Sequence, residues 1–174
     1  MRELLLFRHA KSSWDQPGVP DRERDLDPRG LAAAPRMGAL LQARNLIPDL
    51  VLCSTARRTV HTWQLASAQL QQPPTVIYTA ELYLAGPERL LSIIHGSGNA
   101  RRLLLVGHNP GMHALANRLT GPGAGGARAR LAEKFPTAGL ALIAFAIEGW
   151  VEVVPGTGEL QGFWRPRDLD LASV

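Results

Sequence analysis

Short apolar runs bounded by turn residues alternate along the chain with longer segments of helical periodicity. The runs that predict strands are residues 3–7, 50–53, 76–78, 103–106, 140–146 and 150–154. The segments with helical periodicity are residues 30–43, 57–70, 87–95 and 112–119. This alternation predicts an α/β fold of three layers, α/β/α, with a central, mostly parallel sheet. We expect a single domain over residues 1–174.

The run Leu103-Leu104-Leu105-Val106 is apolar at every position, so both of its faces are expected to be covered. A strand of this kind is typical of the centre of a parallel sheet with helices on either side. Residues 120–136 are rich in Gly and Ala and predict a surface loop. The Gly-rich tail predicts one edge strand around residues 162–165.

The composition is that of an ordinary globular chain, with 174 residues, 45% hydrophobic and 20% charged. The single cysteine, Cys53, cannot close an internal disulfide, which favours a reducing cytoplasm as the compartment. The apolar run near the start is interrupted by Arg8 and His9 and is too short for a signal peptide. No run approaches the length of a membrane span, so we expect no membrane partner.

The net charge of +4 and the isoelectric point near 10.0 raise the question of a nucleic-acid partner. The basic residues are spread along the chain, without a long Lys/Arg block or regularly interleaved aromatic residues, so we predict no nucleic-acid binding. The surplus instead favours anionic small ligands or acidic partners.

Histidines and arginines follow three of the predicted strands, where the carboxyl ends of parallel strands gather ligands. These polar residues are Arg8, His9, Lys11 and Ser12 after the first strand, Ser54, Arg57 and Arg58 after the second, and His108 and Asn109 after the fourth. No cluster of carboxylates accompanies them, which argues against a Mg²⁺ site, and we expect neither a metal nor a cofactor. Arginine forks and a neutral imidazole suit a phosphoryl group.

At these positions the chain resembles the histidine phosphatase superfamily, which has the phosphoglycerate mutase-like fold, and within it the short SixA-type phosphohistidine phosphatases. The resemblance rests on four stretches in the family's order: Leu6-Phe7-Arg8-His9-Ala10, Leu26-Asp27-Pro28-Arg29-Gly30, Ser54-Thr55-Ala56-Arg57-Arg58 with Thr62, and Val106-Gly107-His108-Asn109-Pro110-Gly111. Phe163-Trp164-Arg165-Pro166 resembles the family's last strand. Ala10 stands where the family often has Gly, which fits if the backbone there does not need a positive φ.

The resemblance implies that His9 is the nucleophile and forms a phosphohistidine intermediate. It implies that Arg8, Arg58 and His108 complete the phosphate pocket. Glu81 occupies the place of the general acid of larger relatives and is the candidate for that role. The secondary substrate contacts that we expect are Lys11, Ser12 and Asn109.

Several assignments stay open at the level of sequence. Ser54 and Thr55 can cap the following helix or contact a ligand, and for Thr55 we favour the cap. Asp21 belongs to an acidic series, interleaved with arginines, that is typical of a solvated loop, and Trp14 can line or cover the substrate mouth. The substrate is expected to be phosphohistidine on a protein; the alternatives are a broad phosphomonoesterase, a phosphatase of a small metabolite, and a non-catalytic phosphate-binding or adaptor domain.

Overall fold

A six-stranded sheet lies at the centre of the computed structural model, which describes residues 1–123 and 125–170. The strands are β1 (Arg2–Arg8), β2 (Leu50–Ser54), β3 (Thr75–Thr79), β4 (Arg102–Gly107), β5 (Leu140–Phe145) and β6 (Glu159–Trp164). They lie in the order β3-β2-β4-β1-β5-β6. Only β5 runs against the others, because it pairs antiparallel with both β1 and β6. The prediction of a mostly parallel sheet is confirmed.

Helices cover both faces of this sheet. They are α1 (Pro28–Ala43), α2 (Arg57–Ser67), α3 (Pro87–His95), α4 (Gly111–Leu119), α5 (Gly126–Glu133) and α6 (Pro166–Asp170). Three short 3-10 turns add Asp21–Glu23, Ala80–Leu82 and Trp150–Glu152. Side chains from α1 and α2 pack on one face, and side chains from α3, α4 and α5 pack on the other. The three-layer α/β/α architecture is therefore confirmed.

The central position of β4 follows from its sequence. Leu103 and Leu105 pack into the hydrophobic cluster on one face of the sheet, and Leu104 and Val106 pack into the cluster on the other face. All four side chains are fully buried. β4 lies between β2 and β1, as its uninterrupted apolar run predicts.

The predicted strand at residues 150–154 is wrong. Trp150–Glu152 forms a 3-10 turn, in which the Glu152 carboxylate accepts a hydrogen bond from the backbone N–H of Gly149 at 2.6 Å. The Trp150 ring is buried, and its indole N–H donates to the Ala100 carbonyl at 2.7 Å. This local capping and the anchored indole outweigh the alternation of apolar residues that resembles a strand.

The predicted surface loop at residues 120–136 is also wrong in part, because it contains α5 (Gly126–Glu133). Leu131 of this helix is buried in the same core cluster as Phe135. Tertiary packing therefore stabilises a helix that the Gly- and Ala-rich sequence does not predict. Ala124 of that segment lies outside the described residues. The predicted edge strand is confirmed as β6, although it begins earlier, at Glu159.

Among the helices that the structure describes, none combines the length and the apolar character that crossing a bilayer requires.

Candidate active site

A cavity of about 240 Å³ opens where β1 and β4 end, and we name it the histidine cavity. Seven of the eight predicted site residues line it: Arg8, His9, Lys11, Ser12, Arg58, His108 and Asn109. The rings of the two histidines lie 5.3 Å apart between their centroids. The parallel pairing of β1 with β4 aligns Arg8 with Gly107, and therefore places His9 beside His108.

His9 is held by its backbone and by one ring nitrogen. Its N–H donates to the Gly107 carbonyl at 3.1 Å, and its carbonyl accepts from the Ala138 N–H at 3.0 Å. The ring Nδ1 lies 2.7 Å from the Ala10 carbonyl, which can only accept a hydrogen bond, so Nδ1 carries the proton. The lone pair of a neutral His9 is consequently on Nε2.

The pKa of His9 is lowered to about 3, mainly because burial disfavours the charged ring. The hydrogen bond to Ala10 opposes this lowering of the pKa. Electrostatic repulsion adds to the lowering, and it comes from His108, Arg58 and Arg8. His9 is only 7% exposed. The ring is therefore neutral near pH 7, the state in which an imidazole nitrogen can act as a nucleophile.

The backbone beside His9 accommodates an alanine. Ala10 is not among the residues with positive φ, and its N–H donates to Thr62 Oγ1 at 2.9 Å. Thr62 Oγ1 in turn donates to the Arg58 carbonyl at 2.6 Å. Thr62 thus connects the turn after β1 to the first turn of α2, where Arg58 lies.

His108 is bonded through both ring nitrogens. Arg58 donates to Nδ1 at 3.3 Å, and Nε2 lies 2.8 Å from Ser54 Oγ. The pKa of His108 is lowered to about 3, first by burial and then by the charge of Arg58. Ser54 is fully buried and contacts His108, whereas Ala56 is the residue that precedes α2, so Thr55 is not its N-cap.

The guanidinium groups of Arg8, which is half-buried, and of Arg58, which is buried, lie beside the histidines. Arg8 donates to the Phe135 carbonyl at 2.9 Å, and burial, together with the charge of Arg58, lowers the pKa of Arg8. Arg58 is 2% exposed in the first turn of α2. In both side chains Nε is buried and has no hydrogen-bond partner within the described part of the chain.

Asp21 lines the histidine cavity, and its side chain remains 42% exposed, so the loop that we expected to be solvated also contacts the site. Its carboxylate accepts from Arg58 at 3.0 Å, from Tyr83 at 2.5 Å and from Arg24 at 3.1 Å. Its backbone carbonyl accepts a further bond from Arg58 at 2.6 Å. The Tyr83 hydroxyl above all, and Arg58 after it, lower the pKa of Asp21 to about 2. The alternating charges of this loop do not indicate which of its carboxylates contacts Arg58.

The remaining predicted substrate contacts lie on the walls of the histidine cavity. Ser12 is buried, and its hydroxyl accepts from Arg24 at 2.7 Å. Asn109 donates to the Phe135 carbonyl at 2.9 Å, and its Oδ1 is buried without a partner among the described residues. The Lys11 side chain is exposed and makes no hydrogen bond within the same part of the chain.

The structure does not bring Glu81 to the histidine cavity. Its carboxylate is 58% exposed and pairs with Arg89 at 2.6 Å. The predicted place of Glu81 just after the third strand is correct, but the 3-10 turn Ala80–Leu82 directs its side chain to Arg89. Further along this segment, Tyr83 bonds to Asp21 and packs edge-on against the His108 ring, and Leu84 lines the cavity. Over residues 1–123 and 125–170, no three His, Cys, Asp or Glu side chains are grouped as metal ligands.

Comparison with known proteins gives a consistent result. The family model of the histidine phosphatase superfamily (branch 1) matches residues 4–82, which include His9 and Arg58. An uncharacterized protein of Mycobacterium tuberculosis is 40% identical over 165 residues, which cover 92% of this chain and all of the relative.

Two solved structures cover almost the whole chain. A putative phosphohistidine phosphatase SixA from Agrobacterium tumefaciens is 33% identical, covers 95% of this chain and 99% of its own, and has a TM-score of 0.79. A putative phosphohistidine phosphatase SixA from Nakamurella is 29% identical, covers 95% and 96%, and has a TM-score of 0.82. The chain therefore belongs to the histidine phosphatase superfamily, and within it to the SixA type.

Proposed function

We propose that this protein removes the phosphoryl group from phosphohistidine side chains of other proteins, through a phosphohistidine formed on its own His9. Membership of the histidine phosphatase superfamily supports a phosphatase activity, and the SixA names of the similar structures agree with this substrate. The observation that carries the mechanism is the hydrogen bond from His9 Nδ1 to the Ala10 carbonyl, which leaves the Nε2 lone pair available for attack.

In the first step, His9 Nε2 forms a bond to phosphorus while the bond from phosphorus to the substrate nitrogen breaks. The substrate ring takes a proton from water on its other nitrogen and leaves as neutral imidazole. His9 becomes positively charged, and the Ala10 carbonyl stabilises that charge through the Nδ1 proton. A fixed tautomer also aims the lone pair before the substrate arrives.

Arg8, Arg58 and His108 surround the phosphoryl group in this proposal. Both arginines have an Nε–H without a partner in the described residues, and phosphoryl oxygens are suitable acceptors for such donors. A phosphoryl oxygen that accepts from Arg58 in place of His108 Nδ1 frees that nitrogen. Proton exchange through water, with the Ser54 hydroxyl then donating to Nε2, lets Nδ1 donate to the oxygen. Lys11, Ser12 and Asn109 are proposed as secondary contacts at the mouth.

In the second step, water attacks phosphorus and the bond to His9 Nε2 breaks. Orthophosphate is released, and His9 returns to the neutral state with its proton on Nδ1. No proton has to be delivered to His9, because the cationic phosphohistidine already holds the Nδ1 proton. Arg8 and Arg58 again stabilise the charge on the equatorial oxygens.

The acid–base groups of the site favour a phosphohistidine over an alkyl phosphate. Asp21 is the carboxylate that lines the histidine cavity among the described residues, and its pKa of about 2 keeps it ionised. Glu81 is paired with Arg89 outside the cavity. An alkoxide leaving group therefore finds no carboxylic acid to protonate it, whereas an imidazole or a phenolate leaves without one.

The test is phosphate release, in the presence of EDTA, from a phosphohistidine protein, an aryl phosphate and an alkyl phosphate. We expect the wild type to act on the first two substrates and at least about 100-fold more slowly on the alkyl phosphate, since general acid catalysis contributes factors of that size. His9→Ala should abolish release. His61→Ala is the matched control, because His61 lies on α2 and does not line the histidine cavity.

Brief incubation with labelled substrate should also leave acid-labile, base-stable label on the wild type and none on His9→Ala. Label that persists in His9→Ala would contradict the assignment of the nucleophile. Equal rates on alkyl and phosphohistidine substrates would favour the broad phosphomonoesterase instead. Activity that EDTA abolishes would contradict the metal-independent mechanism.

A further inference from the structure

A second cavity, of about 650 Å³, adjoins the histidine cavity, and we name it the basic cleft. It lies between α1, residues 133–138 and the start of α6. We infer that the basic cleft binds an acidic segment of the phosphoprotein substrate, adjacent to the phosphohistidine that enters the histidine cavity. This inference rests on the function proposed above and adds the chemistry of the partner.

The charge of the basic cleft is strongly one-sided. Seven cationic side chains line it, against the carboxylates of Glu133 and Asp170. Arg36 pairs with Asp170, and Arg165 pairs with Asp168. The other five cations make no ion pair within the described residues: Lys11, Arg29, Arg130, Lys134 and Arg167. A concave surface that collects unpaired cations attracts an anionic partner.

Two of these cations, Arg29 and Arg130, lie in positions that do not favour the free energy of folding. Arg29 lies in the first turn of α1, whose N-terminal dipole disfavours a positive charge, and the Asp27 carboxylate at the N-cap bonds to the Gly30 N–H rather than to Arg29. Arg130 has a buried Nε without a hydrogen-bond partner in the described residues. Carboxylates that enter the basic cleft would compensate both features, because guanidinium groups bind carboxylates through paired hydrogen bonds.

The basic cleft and the histidine cavity share the side chains of Lys11 and Thr137. When the phosphohistidine of a substrate protein lies against His9, the substrate residues next to it therefore lie in the basic cleft. At the mouth of the histidine cavity, Trp14 is 72% exposed and Leu84 is 53% exposed. Exposed large apolar side chains next to a cavity are typical of a surface that contacts another protein.

A nucleic acid is a weaker candidate for the same surface. None of the described residues that line the basic cleft is aromatic, so nucleic-acid bases find no ring on which to stack. The apolar lining consists of small side chains, Ala32, Ala33, Pro136, Ala138 and Pro166. The lining therefore fits a segment that offers carboxylates rather than stacked bases.

The test compares two synthetic phosphohistidine peptides of equal length, one flanked by Asp and Glu and the other by Asn and Gln. Phosphoimidazole serves as a substrate without flanks. We expect the wild type to favour the acidic peptide about tenfold in kcat/KM at low ionic strength, an advantage that salt reduces. Arg29→Glu and Lys134→Glu should each lower this ratio about three- to fivefold, as expected for one charge pair at a surface.

Arg101→Glu is the matched control, because Arg101 is exposed and precedes β4 at the opposite edge of the sheet. It should keep the wild-type ratio. The ratio compares two substrates on one protein, so a partly unfolded variant lowers both rates and leaves the ratio intact.

Equal rates on the two peptides, with phosphoimidazole also hydrolysed, would overturn the acidic-segment inference and leave the proposed function standing. No release from any of the three substrates by the wild type would overturn both. A single-stranded oligonucleotide that binds the wild type and loses affinity in Lys134→Glu, while the acidic flanks give no advantage, would assign the basic cleft to nucleic acid and overturn the inference.

Discussion

The two histidines of the site have equally lowered pKa values but different hydrogen-bond partners. The pKa of each ring is lowered to about 3, in both cases first by burial. His9 donates from Nδ1 to a carbonyl oxygen, which fixes one tautomer. His108 accepts at Nδ1 from Arg58, which can only donate, so its proton lies on Nε2 toward Ser54 and neither ring nitrogen keeps a free lone pair. The hydrogen-bond partners, rather than the pKa values, therefore distinguish His9, the proposed nucleophile, from His108, the proposed phosphate contact.

The negatively charged carboxylate of Asp21 lies against Arg58, the side chain that is proposed to bind a phosphoryl oxygen. The carboxylate and the backbone carbonyl of Asp21 both accept hydrogen bonds from Arg58. A phosphate dianion in the histidine cavity is repelled by the Asp21 carboxylate, which lines the same partly solvated cavity. Asp21 is therefore expected to weaken anion binding and to favour release of orthophosphate.

We expect Asp21→Asn to bind inorganic phosphate about fivefold more tightly than the wild type, a change of about 1 kcal/mol. The substitution keeps an oxygen acceptor for Arg58 and removes the negative charge. The measurement is the inhibition constant of phosphate against hydrolysis of an aryl phosphate at fixed ionic strength. Asp25→Asn is the control, since Asp25 pairs with the exposed Arg57 and does not line the histidine cavity. Weaker phosphate binding in Asp21→Asn would mean that the carboxylate mainly positions Arg58.

The sequence is informative about residues that follow strands and much less so about residues in long loops. His9 and His108 directly follow β1 and β4, so the pairing of these strands alone brings them together. Asp21 is separated from β1 by a segment with few regular contacts, and its position depends on Arg58 and Tyr83. Glu81 shows the same limit, because one short 3-10 turn decides which side chain of that segment faces the site.

At the scale of elements, the first turn of α1 supports the turn that follows His9. The Asp27 side chain caps α1 by accepting from the Gly30 N–H at 2.8 Å, and its own N–H donates to the Lys11 carbonyl at 3.0 Å. Gly30 lies so close to that carbonyl that a Cβ atom would be 2.1 Å from the Lys11 oxygen. Absence of a side chain at Gly30 thus lets α1 pack against the backbone of the proposed site.

Gly30→Ala is expected to lower the free energy of unfolding by about 1–3 kcal/mol, the usual cost of overpacking, because Lys11 has to move. The same movement should lower kcat/KM for an aryl phosphate. Both effects are measured by urea unfolding and by steady-state kinetics. Gly96→Ala, at the end of α3, is the control, since its Cβ would meet only ordinary contacts at 3.7 Å and 3.8 Å. A variant Gly30→Ala with wild-type stability would contradict the close approach.

Elements with strong local patterns were predictable, and elements that depend on packing were not. The continuous apolar run of β4 led to the correct central strand because both faces of this strand are buried. The apolar residues from Trp150 onward resemble a strand, yet the buried indole and the Glu152 carboxylate hold a 3-10 turn. Helix α5 forms around the burial of Leu131, and its own sequence favours a loop.

At the scale of the whole molecule, folding buries two histidines that ionise readily in the unfolded chain. An unfolded histidine takes up a proton as the pH falls through about 6.5, whereas His9 and His108 in the folded protein remain neutral down to about pH 3. Between these values the unfolded state binds more protons, so the free energy of unfolding must decrease as the pH falls. The architecture that keeps the proposed nucleophile neutral therefore makes the fold sensitive to acid.

Each of these histidines should contribute a slope of up to about 1.4 kcal/mol per pH unit to the free energy of unfolding between pH 6 and pH 4. His9→Gln is expected to remove one contribution, His108→Gln the other, and the double variant both. Urea unfolding at half-unit steps from pH 4 to pH 7 measures these slopes. Asp21, with a pKa of about 2, adds to the loss only below about pH 4, where the unfolded carboxyl takes up its proton. A wild-type slope in both single variants would show that the two rings are protonated in the folded state, and would also remove the basis for His9 as a neutral nucleophile at acid pH.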